Sequence, residues 1–445
     1  MKPQSSLHKV LKNAGILLSG NMAANILGFI SLAIFTQSQG AVIFGYYVLF
    51  LTFIEIIDKI FNFQTWQAFI KFATDFQVKN EKHNVMMLLK YSFLVDFISL
   101  MVATLVALVL SFYAIEFFKI PREFYHLLLL MTLTILFRSV EISTGIFRLF
   151  DEFKIQAIIT FYAAAFKLIL FGLIASKVSI TPSFEAFVYA TVFSQFITMI
   201  MKFVYAKKTL NKNEIKLIDI IKEKINMPLM KELKIFPFII YKNFSVSIRS
   251  ISRQLDVVIL GKLYSAEIVG IYKIAKEIAN LIAKLTDPIY QAIYPEFAKL
   301  IASARKVEAY KMAINISIYS GLSALVFYIL FIIFGKWGIF MAFGQDFNGA
   351  YEITLIYYIA ILIAILSLPL VPLMDSSGLI KYTFRNQLYA TVIYIIVVYP
   401  LISEYGAIGA GIAYILYYLS WSLMSVIKLY LHNKLTTREV QNGQS

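Results

Sequence analysis

The stretch GYYVLFLTFIEIIDKIFN (45–62) returns 225 residues later as GIYKIAKEIANLIAKLTD (270–287). Gly45 falls on Gly270, Tyr47 on Tyr272, Ile57 on Ile282 and Lys59 on Lys284. Beyond it, Phe72 falls on Phe297 and Ala73 on Ala298, and with one residue of slip WQAF (66–69) lies over YQAI (290–293). Each copy carries several ionisable side chains among its apolar ones. The chain around them has 445 residues, 60% hydrophobic and only 15% charged, with a mean hydropathy of +0.74. Soluble domains hold about 45–50% apolar and about 25% charged residues. That balance excludes a soluble enzyme, a nucleic-acid-binding domain and a disordered chain.

Apolar blocks long enough for a ~30 Å hydrocarbon layer recur throughout. They predict twelve spans, at 14–36, 43–70, 87–114, 124–147, 155–176, 183–206, 236–261, 268–295, 309–335, 351–375, 384–402 and 405–430. The fold class is therefore an all-α polytopic membrane protein of two pseudo-symmetric six-helix bundles. The expected organisation is an N-terminal bundle (1–206), a basic amphipathic linker (207–235), a C-terminal bundle (236–431) and a tail (432–445). An even number of spans per half makes the repeat parallel, about an axis along the membrane normal. The basic N-terminal arm runs into an apolar block with no small-residue cleavage site, so that block is expected to be a retained span.

The formal charge is +15, from 41 Lys and Arg against 26 Asp and Glu. With the N-terminus inside, 27 of the 41 fall at cytoplasmic ends and loops and five (Lys119, Arg122, Lys177, Lys262, Lys336) on the far side. This bias places both termini in the cytoplasm. In the linker, Ile215, Ile218, Ile221 and Ile225 would share one helical face ringed by lysines, a pattern that suits an anionic inner leaflet or a plain basic tether.

Ionisable groups inside spans are costly and gather at interiors or wet cavities. Here they form stripes. The second span carries Glu55, Asp58, Lys59 and Asn62. The seventh, FPFIIYKNFSVSIRSISRQLDVVILG (236–261), carries Lys242, Arg249, Arg253 and Asp256 on one face, and the eighth carries Lys273, Lys276, Glu277, Lys284 and Asp287. The fourth adds Arg138, Glu141 and Arg148, the third Asp96 and the fifth Lys167. Interhelical ion pairs or snorkelling near span ends would account for single members. The pattern fits a cationic cavity for an anionic ligand, arginine being suited to phosphate by its planar fork. Arg249, Arg253, Lys242, Lys59, Lys284 and Arg138 are the candidate substrate contacts. Asp256, Glu141, Asp58 and Glu55 would orient them or carry a coupling ion. Trp66 and Tyr290 are candidate sugar platforms.

There is no cysteine, no metal-ligand spacing among the four histidines and no GxxxxGK[ST], so neither thiol chemistry nor direct ATP drive is expected. No external loop is long enough for a catalytic domain, which argues against a glycan polymerase or ligase.

Three stretches carry a family resemblance: LSGNMAANILGFISLAIFTQSQGAVIFGYYVL (18–49), SRQLDVVILGKLYSAEIVGIYKIAKEI (252–278) followed by PIYQAIYPEFAKL (288–300), and YGAIGAGIAYILYYLSW (405–421). The chain resembles Wzx-type polysaccharide transporters, flippases of O-antigen and other lipid-linked oligosaccharides in the superfamily that includes the multidrug and toxic compound extrusion transporters. The resemblance implies a V-shaped pair of bundles with helices 1, 2, 7 and 8 lining the cavity. It implies a bacterial cytoplasmic-membrane transporter with no catalytic residues and no cofactor, driven by a proton or sodium gradient. Its partners would be an undecaprenyl-diphosphate-type oligosaccharide of lipopolysaccharide synthesis, membrane lipids and other polysaccharide-assembly membrane proteins, with no nucleic acid. A drug or cation antiporter on the same fold is the alternative. The first span offers Asn21 and Asn25 but no charge, unlike the arginine–aspartate pair of related lipid II flippases, and this favours another lipid-linked glycan.

Overall fold

The computed structural model describes residues 3–176, 183–284 and 286–442. Among them every regular element is a helix. The first is continuous from Pro3 to Phe61 except at Gly40, whose φ of 73° reverses the chain between α1 (3–39) and α2 (41–61, resumed as Trp66–Val78). Next come α3 (Lys82–Phe117), α4 (Arg122–Leu149), α5 (Phe153–Ala175) and α6 (Phe184–Lys212). After the linker follow α7 (Ile235–Leu263), α8 (Ala266–Lys284, resumed as Asp287–Ala302), α9 (Lys306–Phe343) and α10 (Ala350–Ser376). A last helix from Ile380 to Asn442 is broken only at Gly406 (φ 58°), giving α11 (380–405) and α12 (407–442).

Twelve helical segments thus stand where the apolar blocks predict them. Among the described residues eight stretches are long and apolar enough to cross a membrane, two of them the kinked pairs α1–α2 and α11–α12. α7 and α8, the most heavily charged, are not among the eight. The chain is a multi-span membrane protein.

It packs as two units, Met1–Val258 and Ile259–Ser445. In the first, Phe35, Phe44, Tyr47, Phe171 and Phe187 form an aromatic core, with Phe35 stacked on Tyr47 at 4.9 Å and edge-on to Phe187 at 4.7 Å. Nearer the linker, Phe69, Phe72, Leu88, Phe147 and Leu210 build a second core, to which Ile215, Ile220 and Met230 of the linker contribute. Lipid tails are as apolar as these side chains, so close packing rather than water exclusion holds such helices together.

The second unit shows why YGAIGAGIAY is rich in small residues. Gly406 takes a left-handed φ that other residues adopt only with strain. The chain then folds back so tightly that a Cβ on Gly409 would stand 1.9 Å from the Leu401 carbonyl oxygen. Tyr264 donates to the carbonyls of Ile402 and Ser403 at 2.9 and 3.2 Å, covering backbone acceptors freed by the turn.

The repeat is visible within the two units. Tyr47 and Tyr272 are both buried, each with an ammonium over its ring: Lys167 at 5.7 Å and Lys276 at 5.8 Å. In the first half the second helix breaks between Phe61 and Trp66.

The linker departs from the amphipathic expectation. It holds two short helices, Leu217–Lys222 and Met227–Glu232, not one continuous face. Ile215 and Ile220 point into the core while Ile218 and Ile221 are exposed. The cause is anchoring to α3. Lys90 donates to the carbonyls of Ile221 and Glu223, both at 2.7 Å, His83 meets Glu223 at 2.9 Å, and these contacts end the first short helix.

Candidate functional site

The first unit gathers its ionisable groups around the break in α2. A helix ending at Phe61 leaves its last carbonyls without intrahelical donors. Two of them are met from α7, by Ser247 Oγ donating to the Lys59 carbonyl and Asn243 Nδ2 donating to that of Ile60 at 2.9 Å. One turn further along, Gln254 Nε2 donates to Glu55 at 2.7 Å. Asn243, Ser247 and Gln254 share one face of α7, about a third of a turn from the charged stripe.

The break itself, Asn62 to Thr65, is stitched by side chains. Asn62 Oδ1 accepts from the Gln64 N–H at 3.2 Å, which steadies the left-handed backbone of Gln64 (φ 47°). Asp96 of α3 accepts from the Thr65 N–H at 2.9 Å, and Thr65 Oγ1 donates to the Ser92 carbonyl at 3.2 Å. Asp96 is buried, and its second oxygen has no hydrogen-bond partner among the described residues.

Asp58, fully buried one turn before the break, is the centre of the cluster. It accepts from Arg138 and from Asn62 Nδ2 at 3.0 Å and lies 3.3 Å from Lys59. Arg138 reaches it from an eight-residue 3-10 stretch of α4, Leu133–Val140. Runs of that helix beyond three or four residues are uncommon and mark strain or hinges. Glu55 and the half-buried Glu141 also bear electrostatically on Arg138. A broken helix and an overwound one are thus joined through a single carboxylate.

The sequence candidates therefore separate. Asp58, Lys59, Arg138, Glu55 and Glu141 belong to this one cluster, in which acids outnumber cations. Lys242 and Arg253 stand exposed on α7, while Asp256 is buried, with Oδ1 accepting its neighbour's N–H at 2.8 Å. The side chains of Arg249, Asp287 and Tyr290 lie outside the described residues. Lys284 is half-buried in the second unit, where it, Lys276 and Lys273 all act on Glu277, Lys273 directly at 2.9 Å. Lys276 is buried and reaches Tyr414 OH at 3.4 Å. Trp66 carries the Arg148 guanidinium over its ring at 4.6 Å. Sequence reasoning missed Asn243, Ser247 and Gln254, whose helical spacing was available but which carry no charge.

At the linker end of the same unit is a pocket of about 350 Å3 lined by Gln77, Asn80, Lys82, Lys212 and Glu214 among others. Its two lysines already have partners: Lys82 lies 2.5 Å from Glu214 and Lys212 2.7 Å from Glu152. The hydrogen bond and charge of Lys82 hold the Glu214 carboxyl below the usual carboxylate range. No group of three metal-ligating side chains occurs among the described residues.

Two repeated helical units with ionisable groups inside them define a multi-span, all-helical membrane protein. Residues 10–301 match the family described as polysaccharide biosynthesis protein, and the chain belongs to that family. It is 21% identical over 356 residues to the inner membrane protein YghQ of Escherichia coli (strain K12), covering 77% of this chain and 95% of that protein. Its fold is similar to that of a multidrug resistance MATE family transporter of the MOP superfamily, solved in an inward-facing conformation (TM-score 0.70, 11% identity, 97% and 96% of the two chains). The lipid II flippase MurJ in its inward closed conformation is also similar (TM-score 0.68, 15% identity, 93% and 87%).

Proposed function

We propose that this protein flips a polyprenyl-diphosphate-linked oligosaccharide, of the O-antigen or a similar surface-polysaccharide type, across the bacterial cytoplasmic membrane. The observation that carries this reading is the charge of α7 and α8. Residues 235–284 hold seven Lys and Arg against three Asp and Glu, inside two helices of a membrane-embedded bundle. Such an excess is expensive in hydrocarbon and suits a diphosphate headgroup. Membership of a polysaccharide biosynthesis family supports the glycan, and the likeness to a flippase fold supports the lipid carrier. Arg253, Arg249 and Lys242 would meet the diphosphate or acidic sugars. Loading would occur from the inner leaflet and release outside, by alternating access driven by a proton or sodium gradient. Both termini would be cytoplasmic, by the lysine and arginine bias.

The cluster of Glu55, Asp58 and Glu141, in which acids outnumber cations, favours a second reading, a drug or cation antiporter, since a surplus of carboxylates suits cationic substrates. The two separate in one strain set. In a host lacking its own flippase, Arg253→Ala and Arg249→Ala should insert normally yet lose surface glycan. Normal surface glycan in both variants overturns the flippase reading, and efflux of lipophilic cations by the wild type would establish the antiporter.

A further inference from the structure

α11 and α12 place two cations on one aromatic ring, at the end of the pair away from the Gly406 turn. Lys428 Nζ lies 3.6 Å and the Arg385 guanidinium 4.6 Å from the centroid of Tyr382, and Arg385 also lies 5.9 Å from that of Tyr389. The helices are held in this register by Asn386, which donates to Ser425 Oγ at 3.3 Å. Neither cation takes part in an ion pair among the described residues. Asp375, in the last turn of α10, accepts a hydrogen bond from Thr383 Oγ1 at 2.7 Å. Two like charges are therefore gathered where a lone lysine would extend into water.

The surroundings are apolar and exposed: Phe384 at 71% and Leu388 on α11, Ile427 and Tyr430 on α12. Such residues on a spanning helix face lipid tails. Arg385 lies five residues into α11, ~7.5 Å along its axis, at the start of the apolar block 384–402. The ring fixes the cations, and the apolar flanks offer a bed for acyl chains.

We infer that Arg385, Lys428 and Tyr382 form a binding site for the phosphate of an anionic phospholipid, independent of the transported substrate. The lipid phosphate bridges the guanidinium and the ammonium, and its chains lie along Phe384 and Ile427.

The test is native mass spectrometry of the detergent-solubilised protein with added phosphatidylglycerol or phosphatidylcholine, paired with thermal melting. The wild type should retain phosphatidylglycerol preferentially and melt higher in its presence. Arg385→Gln/Lys428→Gln should lose this preference by roughly 30-fold, at about 1 kcal/mol per cation. Lys381→Gln, an exposed lysine one turn away, should keep it. Tyr382→Leu, which leaves both charges, should weaken it in part. Equal retention of the two lipids by the wild type overturns the proposal without any variant. Retention by the double variant, or equal loss in Lys381→Gln, overturns it too. Displacement of the lipid by millimolar inorganic phosphate would assign the site to a free anion and overturn the lipid.

Discussion

Asp58→Asn is the perturbation that most directly tests the cluster at the α2 break. The carboxylate is fully buried and answers Arg138, Lys59 and Asn62 at once. The amide keeps the shape and one acceptor but removes the charge that balances two cations. Breaking a buried pair by removing one partner costs about 3–5 kcal/mol. The side chains of Arg138 and Lys59 are 29% and 20% exposed, so water relieves part of the loss and about 3 kcal/mol is expected. Arg138→Gln should cost less, about 2 kcal/mol, because Lys59 and Asn62 still serve Asp58. Independent effects would sum to about 5 kcal/mol, whereas the double variant should cost about 3, since only Lys59, 20% exposed, is then left without its partner. The assay is reversible unfolding in mixed micelles, or melting in nanodiscs, where the Asp58→Asn loss corresponds to roughly 6–12 °C for a unit of this size. Additivity within about 0.5 kcal/mol would refute the pairing, because contacting residues couple and distant ones do not.

Asp96→Asn should fold and melt close to wild type, since the amide oxygen still accepts from Thr65 N–H, whereas Asp96→Leu orphans that buried donor at about 1–3 kcal/mol. Melting of the two variants side by side checks this. Gly409→Ala drives a methyl into the Leu401 carbonyl and should lower the melting temperature, with protease sensitivity rising at the α11–α12 turn. The Lys82–Glu214 contact has a pH signature of known sign. Because the Glu214 carboxyl titrates below its ordinary value, the contact is complete above about pH 4.3 and is lost as the pH falls through the lowered value. Hydrogen exchange around Glu214 should therefore stay flat from neutral pH to that point and rise only below it. An earlier rise would contradict the pairing.

The twelve helices were legible because each is a long apolar run, a signal that needs no knowledge of neighbours. The repeat was legible for the same reason, and Tyr47 and Tyr272 prove to be buried counterparts, each under a lysine. The break at Asn62–Thr65 and the 3-10 stretch of α4 were not. Residues FNFQT and LTILFRSV carry no strong breaker. The departures are imposed by partners far away in sequence: Asp96 on Thr65, and Asp58 on Arg138. Charge stripes located the groups that sit in spans, but not which pair with which. A single-sequence reading grouped Arg138 and Lys59 with the ligand-binding cations, and tertiary packing gives both to Asp58. In the linker, periodicity placed Ile215 beside Ile218 on one face. The backbone contacts from Lys90 halt the helix before that face can form.

The two hydrogen bonds from Asn243 and Ser247 to the carboxyl-terminal end of α2 bear on how the gene can be cut. By repeat counting, α7 opens the second half, but its first turns supply the donors that complete a helix of the first. A fragment stopping after the sixth span would leave the carbonyls of Lys59 and Ile60 without these donors, so a viable split for co-expression belongs past the end of α7 at Leu263, not at the linker.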